Sequence, residues 1–273
     1  KLTTPTVSVI HDINFEHRPK DLAWAHSLYY RYYFKKYAQL SRHIITVSQF
    51  SKDDIIQKYN ITPNKISVVY NGVSNCFKPI QESKKVETQQ KYTNSKEFFL
   101  FIGSLHKRKN IKNLLLAFDI YRENSGKNKL VIIGRKKWWD SDTENVYKNM
   151  NFKNEVIFLG QKDDDEMASI LASAKALCFV SIFEGFGLPI VEAMKSNVPV
   201  ITSNTSSMPE IASNAGLLVN PHNYNEIANA MDKIDNNDKI RTDLIQLGKK
   251  RSEIFNWELT TDKISKILHQ INT

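Results

Sequence analysis

Two carboxylates separated by seven residues, Glu184 and Glu192, sit in the segment Ser181-Ile182-Phe183-Glu184-Gly185-Phe186-Gly187-Leu188-Pro189-Ile190-Val191-Glu192-Ala193-Met194. An apolar run over 176–180 leads in and an amphipathic stretch leads out, so the segment reads as strand, sharp loop and helix. Pro189 suits the first helical turn, where its missing N–H would have had no intrahelical partner. Gly185 and Gly187 let backbone N–H groups come close to a ligand. The helix N-terminus adds free N–H groups and a partial positive charge, which suits a phosphate. Carboxylates beside a phosphate are repelled by it. Glu184 in the loop and Glu192 near the start of the helix are therefore better explained as acceptors for hydroxyl groups. Phosphates together with hydroxyls imply a sugar nucleotide.

A second stretch carries the complementary charge: Phe101-Ile102-Gly103-Ser104-Leu105-His106-Lys107-Arg108-Lys109-Asn110. A buried strand ends in glycine and a basic loop opens the next helix. Gly103 permits close backbone approach, while Arg108 and Lys109 bring charge to phosphate oxygens. Such a basic run is more often a solvated turn. Its place at the carboxyl end of a parallel strand, where such sheets bind ligands, favours a site. Asp163-Asp164-Asp165 invites a metal reading, but acids at this point also suit a helix N-terminus. No Asp-x-Asp pair lies beside a suitable strand, so no metal site is expected.

The elements that must position these loops alternate strand and helix. Strands are expected at 7–10, 44–47 and 66–70, with a long aromatic helix over 24–40, a helix from 48 to 57 capped by Ser48 or Ser51, and a turn at Asn71-Gly72. Residues 78–97 are polar and read as a linker between a first unit, 1–77, and a second, 98–255. In the second unit strands are expected at 98–102, 129–133, 156–159, 176–180, 198–202 and 216–219. Helices are expected at 110–121 and 165–173, after the Glu184 loop and from Pro209, with helices closing the chain. The expected fold class is α/β, doubly wound on parallel sheets.

Taken in order, His11-Asp12, Thr46-Val47-Ser48-Gln49-Phe50-Ser51, Tyr70-Asn71-Gly72-Val73, the Gly103–Asn110 loop, the Glu184 and Glu192 pair, and Ser206-Ser207-Met208-Pro209-Glu210 span nearly the whole chain. This set resembles the retaining glycosyltransferases of family 4, which have the GT-B fold of two Rossmann-like domains. The resemblance implies transfer of a sugar from a nucleotide-diphosphate sugar (UDP-, GDP- or ADP-linked) to a glycan or lipid-linked acceptor, with retention and without a metal or other cofactor. It places the chain in cell-surface polysaccharide or lipopolysaccharide synthesis. By position, Glu184 meets the hydroxyls of the transferred sugar, and Phe186, Gly187 and Leu188 present backbone N–H groups to the sugar and distal phosphate. Glu192 accepts from the ribose, Gly103 and Lys109 bind the diphosphate, and Arg108 is a second cation. His11 is the histidine that the first domain aims at the donor sugar. Ser104, also expected to bind the donor, stands where many members carry an arginine or similar polar group. The last helix, 256–273, is expected to cross back to the first domain, with Trp257 as its anchor. The family's first domain normally begins with further strands ahead of the equivalent of Lys1. The resemblance therefore implies a first domain incomplete in this chain, with transfer impaired.

The remaining composition is ordinary for a globular protein, with 41% hydrophobic and 25% charged residues over 273 positions. A net charge of +9 favours anionic partners. A nucleic-acid role has no stacking motif placed on a sheet, and none is expected. Cys76 and Cys178 have no metal-ligand spacing and suit a reduced, cytoplasmic setting. No apolar run reaches the roughly 18 residues that span a bilayer. Trp24, Tyr29, Tyr30, Tyr32, Tyr33, Phe34 and Tyr37, interleaved with Arg31, Lys35 and Lys36, are expected to make core first, and an acceptor groove or peripheral membrane contact second. Trp138 and Trp139 beside Arg135 to Lys137 raise the same question. His17, His26 and His43 are expected to be structural, and Glu210 to cap or support the nucleotide loop. The other function class left open is a nucleotide-sugar binder without transfer activity.

Overall fold

The computed structural model describes residues 5–136 and 139–272. The first half holds β1 (Val7–Val9), α1 (Asn14–His17), α2 (Trp24–Leu40), β2 (His43–Thr46), α3 (Gln49–Tyr59) and β3 (Ile66–Val68). Its three strands are parallel in the order β1-β2-β3, with Val9 beside Ile45 and Ile45 beside Ser67. α3 starts at Ser48, whose hydroxyl accepts the Ser51 N–H, so Ser48 is the cap and Ser51 its partner. α4 (Glu82–Thr93) then lies inside the stretch expected to be a linker. It turns Thr88 and Thr93 inward and packs against the helix Asp164–Ala172 of the second half. Few apolar residues mark that face, so the sequence reads as polar throughout.

The second half runs β4 (Phe98–Ile102), α5 (Ile111–Glu123), β5 (Lys129–Ile133), α6 (Ser141–Asn149), β6 (Val156–Gly160), α7 (Asp164–Ala172), β7 (Ala176–Phe179), α8 (Leu188–Lys195), β8 (Val200–Ser203), α9 (Met208–Ala212), β9 (Gly216–Val219), α10 (Tyr224–Asn236), α11 (Asp238–Ser252) and α12 (Trp257–Asn272). Its six-stranded parallel sheet has the order β6-β5-β4-β7-β8-β9. Both faces of β4 are buried: Phe98, Leu100 and Ile102 enter one core, Phe99 and Phe101 the other. That is why the strand is a continuous apolar run. α5 buries Ile111, Leu114, Leu115 and Phe118 along one stripe. α6 was not anticipated. It is a polar helix begun by Asp140, whose carboxylate accepts the Thr143 N–H.

Gly72 lies in no hydrogen-bonded turn. A Cβ there would meet the backbone N of Trp257 at 2.5 Å and its ring at 2.6 Å. Its place is thus fixed by the close approach of α12, whose Thr260 hydroxyl also donates to the Tyr70 carbonyl at 2.7 Å. α2 is core only in part. Tyr30 and Phe34 pack on the first half's core, while Trp24, Tyr29, Tyr32 and Tyr37 are exposed. Trp139 is structural: its indole donates to Glu144 and its ring packs on Tyr147 and Phe158. Lys137 and Trp138 lie outside the described residues. No helix among the described residues is long and apolar enough to cross a membrane.

Candidate active site

The sheet order reverses direction at one place, between β4 and β7: the chain moves from β4 outward to β6, then returns to β7 on the other side. Parallel sheets bind ligands at such a switch, outside the carboxyl ends of the strands. The Gly103 loop follows β4 and the Glu184 loop follows β7, so the two candidate loops are neighbours there. Gly103 (φ +149°) and Gly187 (φ +100°) have backbone conformations that side chains resist. Gly187 is the residue from which α8 begins, with Pro189 in its first turn.

At the centre is a charge triad of buried Lys109 and Glu184 with half-buried Arg108. Lys109 Nζ lies 2.7 Å from Glu184 Oε1, and Arg108 Nη1 lies 2.8 Å from Glu184 Oε2. Arg108 also donates to the Phe183 carbonyl at 3.1 Å. Burial alone would push the Glu184 carboxyl up, but Lys109 and then Arg108 outweigh it and hold it below the usual carboxylate range. Burial draws the Lys109 ammonium down, and Glu184 opposes that shift. Lys109 also sits over the Phe179 ring at 4.7 Å.

A cavity of about 250 Å³ opens on this triad. The first half supplies His11, Asp12, Val47 and Asn71, and the second supplies Lys109, Phe179 and residues 184–189. His11, Glu184, Lys109, Phe186, Gly187 and Leu188 are thus brought to one wall-to-wall space. Gly103 stands beside it, with a Cβ there meeting Lys109 Cε at 3.6 Å. Ser104 is exposed and Arg108 lies on the far side of the Glu184 carboxylate, both off the cavity wall. Glu192 is also off that wall, one helical turn into α8. Burial, with a contribution from the charge of Asp164, pushes its carboxyl up to about 7.

The loop is held from both halves. Ser48 and Ser51 hydroxyls donate to the Gly185 carbonyl at 2.6 and 3.3 Å. Gly185 has no room for a side chain, since a Cβ would lie 2.7 Å from Asp12 Cβ and from the His11 carbonyl. The Ser206 hydroxyl accepts the Glu184 N–H at 3.0 Å, and Ser207 donates to the carbonyls of Glu184 and Phe186. Asn110, at φ +62°, donates to the carbonyls of Val180 and Pro221.

Residues 83–251 match the family model of glycosyl transferases group 1, and residues 1–75 match that of glycosyltransferase family 4. The chain belongs to the glycosyl transferases group 1. It is 29% identical over 269 residues to the O-antigen chain mannosyltransferase B of Escherichia coli, covering 93% of this chain and 68% of that protein. It is 30% identical over 234 residues to the O-antigen chain mannosyltransferase RfbU of Salmonella typhimurium, covering 86% of this chain and 62% of that one. The crystal structure of Anabaena HepE in complex with UDP-glucose superimposes with a TM-score of 0.83 at 21% identity, over 97% of this chain and 72% of that one. That likeness shows the GT-B fold.

Several residues of this glycosyl transferase that shape the site were not singled out as such from sequence. His17, expected to be structural, bonds both oxygens of Asp54 at 2.8 and 2.9 Å and stacks on Phe183 at 5.3 Å. Glu210 caps, one of the two roles expected of it, and the helix it caps is α3 of the first half. Its carboxylate accepts the N–H groups of Gln49 and Phe50 at 2.7 and 3.0 Å and the Tyr70 hydroxyl at 2.9 Å, so it caps α3 across the two halves. Only the spacing of an acid from a distant helix start could have signalled this, and spacing does not give distance in space. Asp163 caps α7 by accepting the Glu166 N–H, and among the described residues no His, Cys, Asp and Glu cluster could hold a metal.

Proposed function

We propose that the cavity between the halves binds a nucleotide-diphosphate sugar and that the protein transfers its sugar, with retention, to a glycan or lipid-linked acceptor. The observation that carries this reading is the triad of Lys109, Arg108 and Glu184 at the mouth of α8. Lys109, the N-terminus of α8 and the Glu184 carboxylate meet in a cavity lined by both halves, while Arg108 holds the other oxygen of that carboxylate from outside the cavity wall. The diphosphate leaves with growing negative charge, and fixed cations and N–H groups aimed at it lower the barrier. The diphosphate competes with Glu184 for Lys109, which frees that carboxylate to accept from sugar hydroxyls. Glu192 accepts from the ribose further along α8, and His11 faces the sugar from the first half. With Lys109 and the N-terminus of α8 at the leaving group, no metal is needed. The O-antigen mannosyltransferase relatives make a mannosyl donor and a surface polysaccharide product the first choices. The UDP-glucose in HepE makes a UDP-sugar the second.

A panel of UDP-, GDP- and ADP-sugars followed by thermal shift tests the reading, with EDTA present in one arm. A donor at about 100 times its dissociation constant stabilises the protein by about 2.7 kcal/mol. The shift is expected to survive EDTA. Absence of a shift with every donor would overturn the donor site. Loss of the shift in EDTA would overturn metal independence. The anomeric configuration of the product, read by proton NMR, decides retention.

A further inference from the structure

The loop that carries Glu184 has a second face. Behind it, between α3, α1 and the segment around Ser206, lies a larger cleft of about 570 Å³. That volume is in the range of small-molecule sites, about 300–1,000 Å³. We propose that the cleft bounded by His17, Phe50, Asp53, Asp54, Phe183 and Ser206 is a carbohydrate subsite that seats the neutral pyranose of a glycan acceptor next to Glu184.

Its lining is that of a sugar site. Phe183 packs edge to face on Phe50 at 5.5 Å, and His17 stacks on the Phe183 ring at 5.3 Å, so a buried Phe183 backs a shelf whose accessible rings are Phe50 and His17. One face of a pyranose ring is a row of C–H groups, which packs on such a shelf, while its hydroxyls need fixed polar partners. Asp53, Gln57 and the Thr205 and Ser206 hydroxyls stand around that shelf. Asp54 is fixed by both of its oxygens on His17. The charge argues against a phosphorylated ligand. Two carboxylates line the cleft, and Arg18, its one arginine, already pairs with Asp21 at 2.5 Å.

The cleft is wired to the donor side. Phe183 precedes Glu184 in the chain, Ser206 accepts the Glu184 N–H at 3.0 Å, and Arg108 bridges the Phe183 carbonyl and the Glu184 carboxylate. A sugar on the shelf is therefore one loop-width from a sugar beside Glu184. The role as acceptor subsite rests on the donor reading above, while the carbohydrate site itself stands on the cleft alone.

Amide and methyl NMR of the whole chain, titrated with methyl α-mannoside, tests the proposal. Mannose 6-phosphate and a nucleotide sugar serve as separate arms. The glycoside is expected to shift signals of residues 50–57, 183 and 205–206. Phe50→Ala and, as the milder exposed change, Asp53→Asn are expected to weaken its binding at least fivefold. Mannose 6-phosphate is expected to bind more weakly than the glycoside. Shifts confined to residues 103–109 and 185–192, or none, would overturn the subsite, as would equal affinity in Asp53→Asn and the parent. Tighter binding of the phosphate would overturn its neutral character. A glycoside response without any response to nucleotide sugars would remove the donor reading and with it the acceptor role, leaving a carbohydrate-binding cleft.

Discussion

At the scale of single residues, Glu184 joins stability to function, because its carboxylate is the countercharge of a buried ammonium. Glu184→Gln leaves Lys109 buried without a partner charge. Breaking a buried pair from one side costs about 3–5 kcal/mol, and an amide that still accepts a hydrogen bond brings this to about 3. Urea unfolding is expected to show that loss, and Glu184→Gln with Lys109→Met to recover part of it, since the second change removes the buried ammonium that the first leaves without a countercharge. An unchanged midpoint in the single variant would mean that the triad is solvated. Glu192 behaves oppositely. Its folded value, about 7, lies above its ordinary 4.5. Between these values the folded state holds a proton that the unfolded chain has lost, so stability falls as pH rises through this window and the full penalty is present above 7. The gap corresponds to about 3 kcal/mol, trimmed to about 1–2 by partial exposure. Glu192→Gln is expected to melt higher than the parent at pH 8 and to match it at pH 4. A pH-independent difference would sink this account.

At the scale of elements, what the sequence made legible follows from how much each face buries. The inner strands β4, β5, β7 and β8 and the helix α5 were readable because they are buried on both faces or along a full stripe. α4 and α6 were not, because α4 buries Thr88 and Thr93, and α6 buries Thr143 behind its Asp140 cap, rather than following an apolar period. The loops at Gly103 and Glu184 were legible because strand ends, glycines and charge coincide in sequence. The grip of Ser48, Ser51 and Ser206 on the Glu184 loop, and the capping of α3 by Glu210, join residues more than 20 positions apart, which no local pattern encodes. Gly72 is the sharpest case, since it looks like a turn residue but makes room for α12. Gly72→Ala is expected to cost about 1–3 kcal/mol through overpacking. It should speed hydrogen exchange over residues 257–272. Adding Trp257→Ala removes the ring clash but not that with the backbone N at 2.5 Å, so rescue is expected to be partial. Complete rescue would show that only the ring is in the way.

At the scale of the molecule, the two halves are unequal partners. The first has a three-stranded sheet and a small core around Ile10, Ile13, Phe15, Ile44, Ile55 and Tyr59. Val47, Val73 and Phe77 are spent on the second half's core instead. The first half therefore relies on contacts that cross the cleft: Glu210 on α3, Ser48 on Gly185, and α12 along Tyr70. Regions with few buried apolar contacts open below the global free energy. Hydrogen exchange is accordingly expected to find β2, α3 and α12 opening together, at a lower free energy than β4, β5 and β7. Glu210→Ala removes an anion from the N-terminus of α3 and an acceptor from Tyr70, worth about 2 kcal/mol. That should raise exchange in β2 and α3 by more than tenfold while leaving β4 and β5 at their parent rates. A donor seated between the halves should slow the same segments, since its cavity is lined by both. Equal acceleration in both sheets on Glu210→Ala would instead show one cooperative unit, in which the cleft cannot open without unfolding the sheet that carries Glu184.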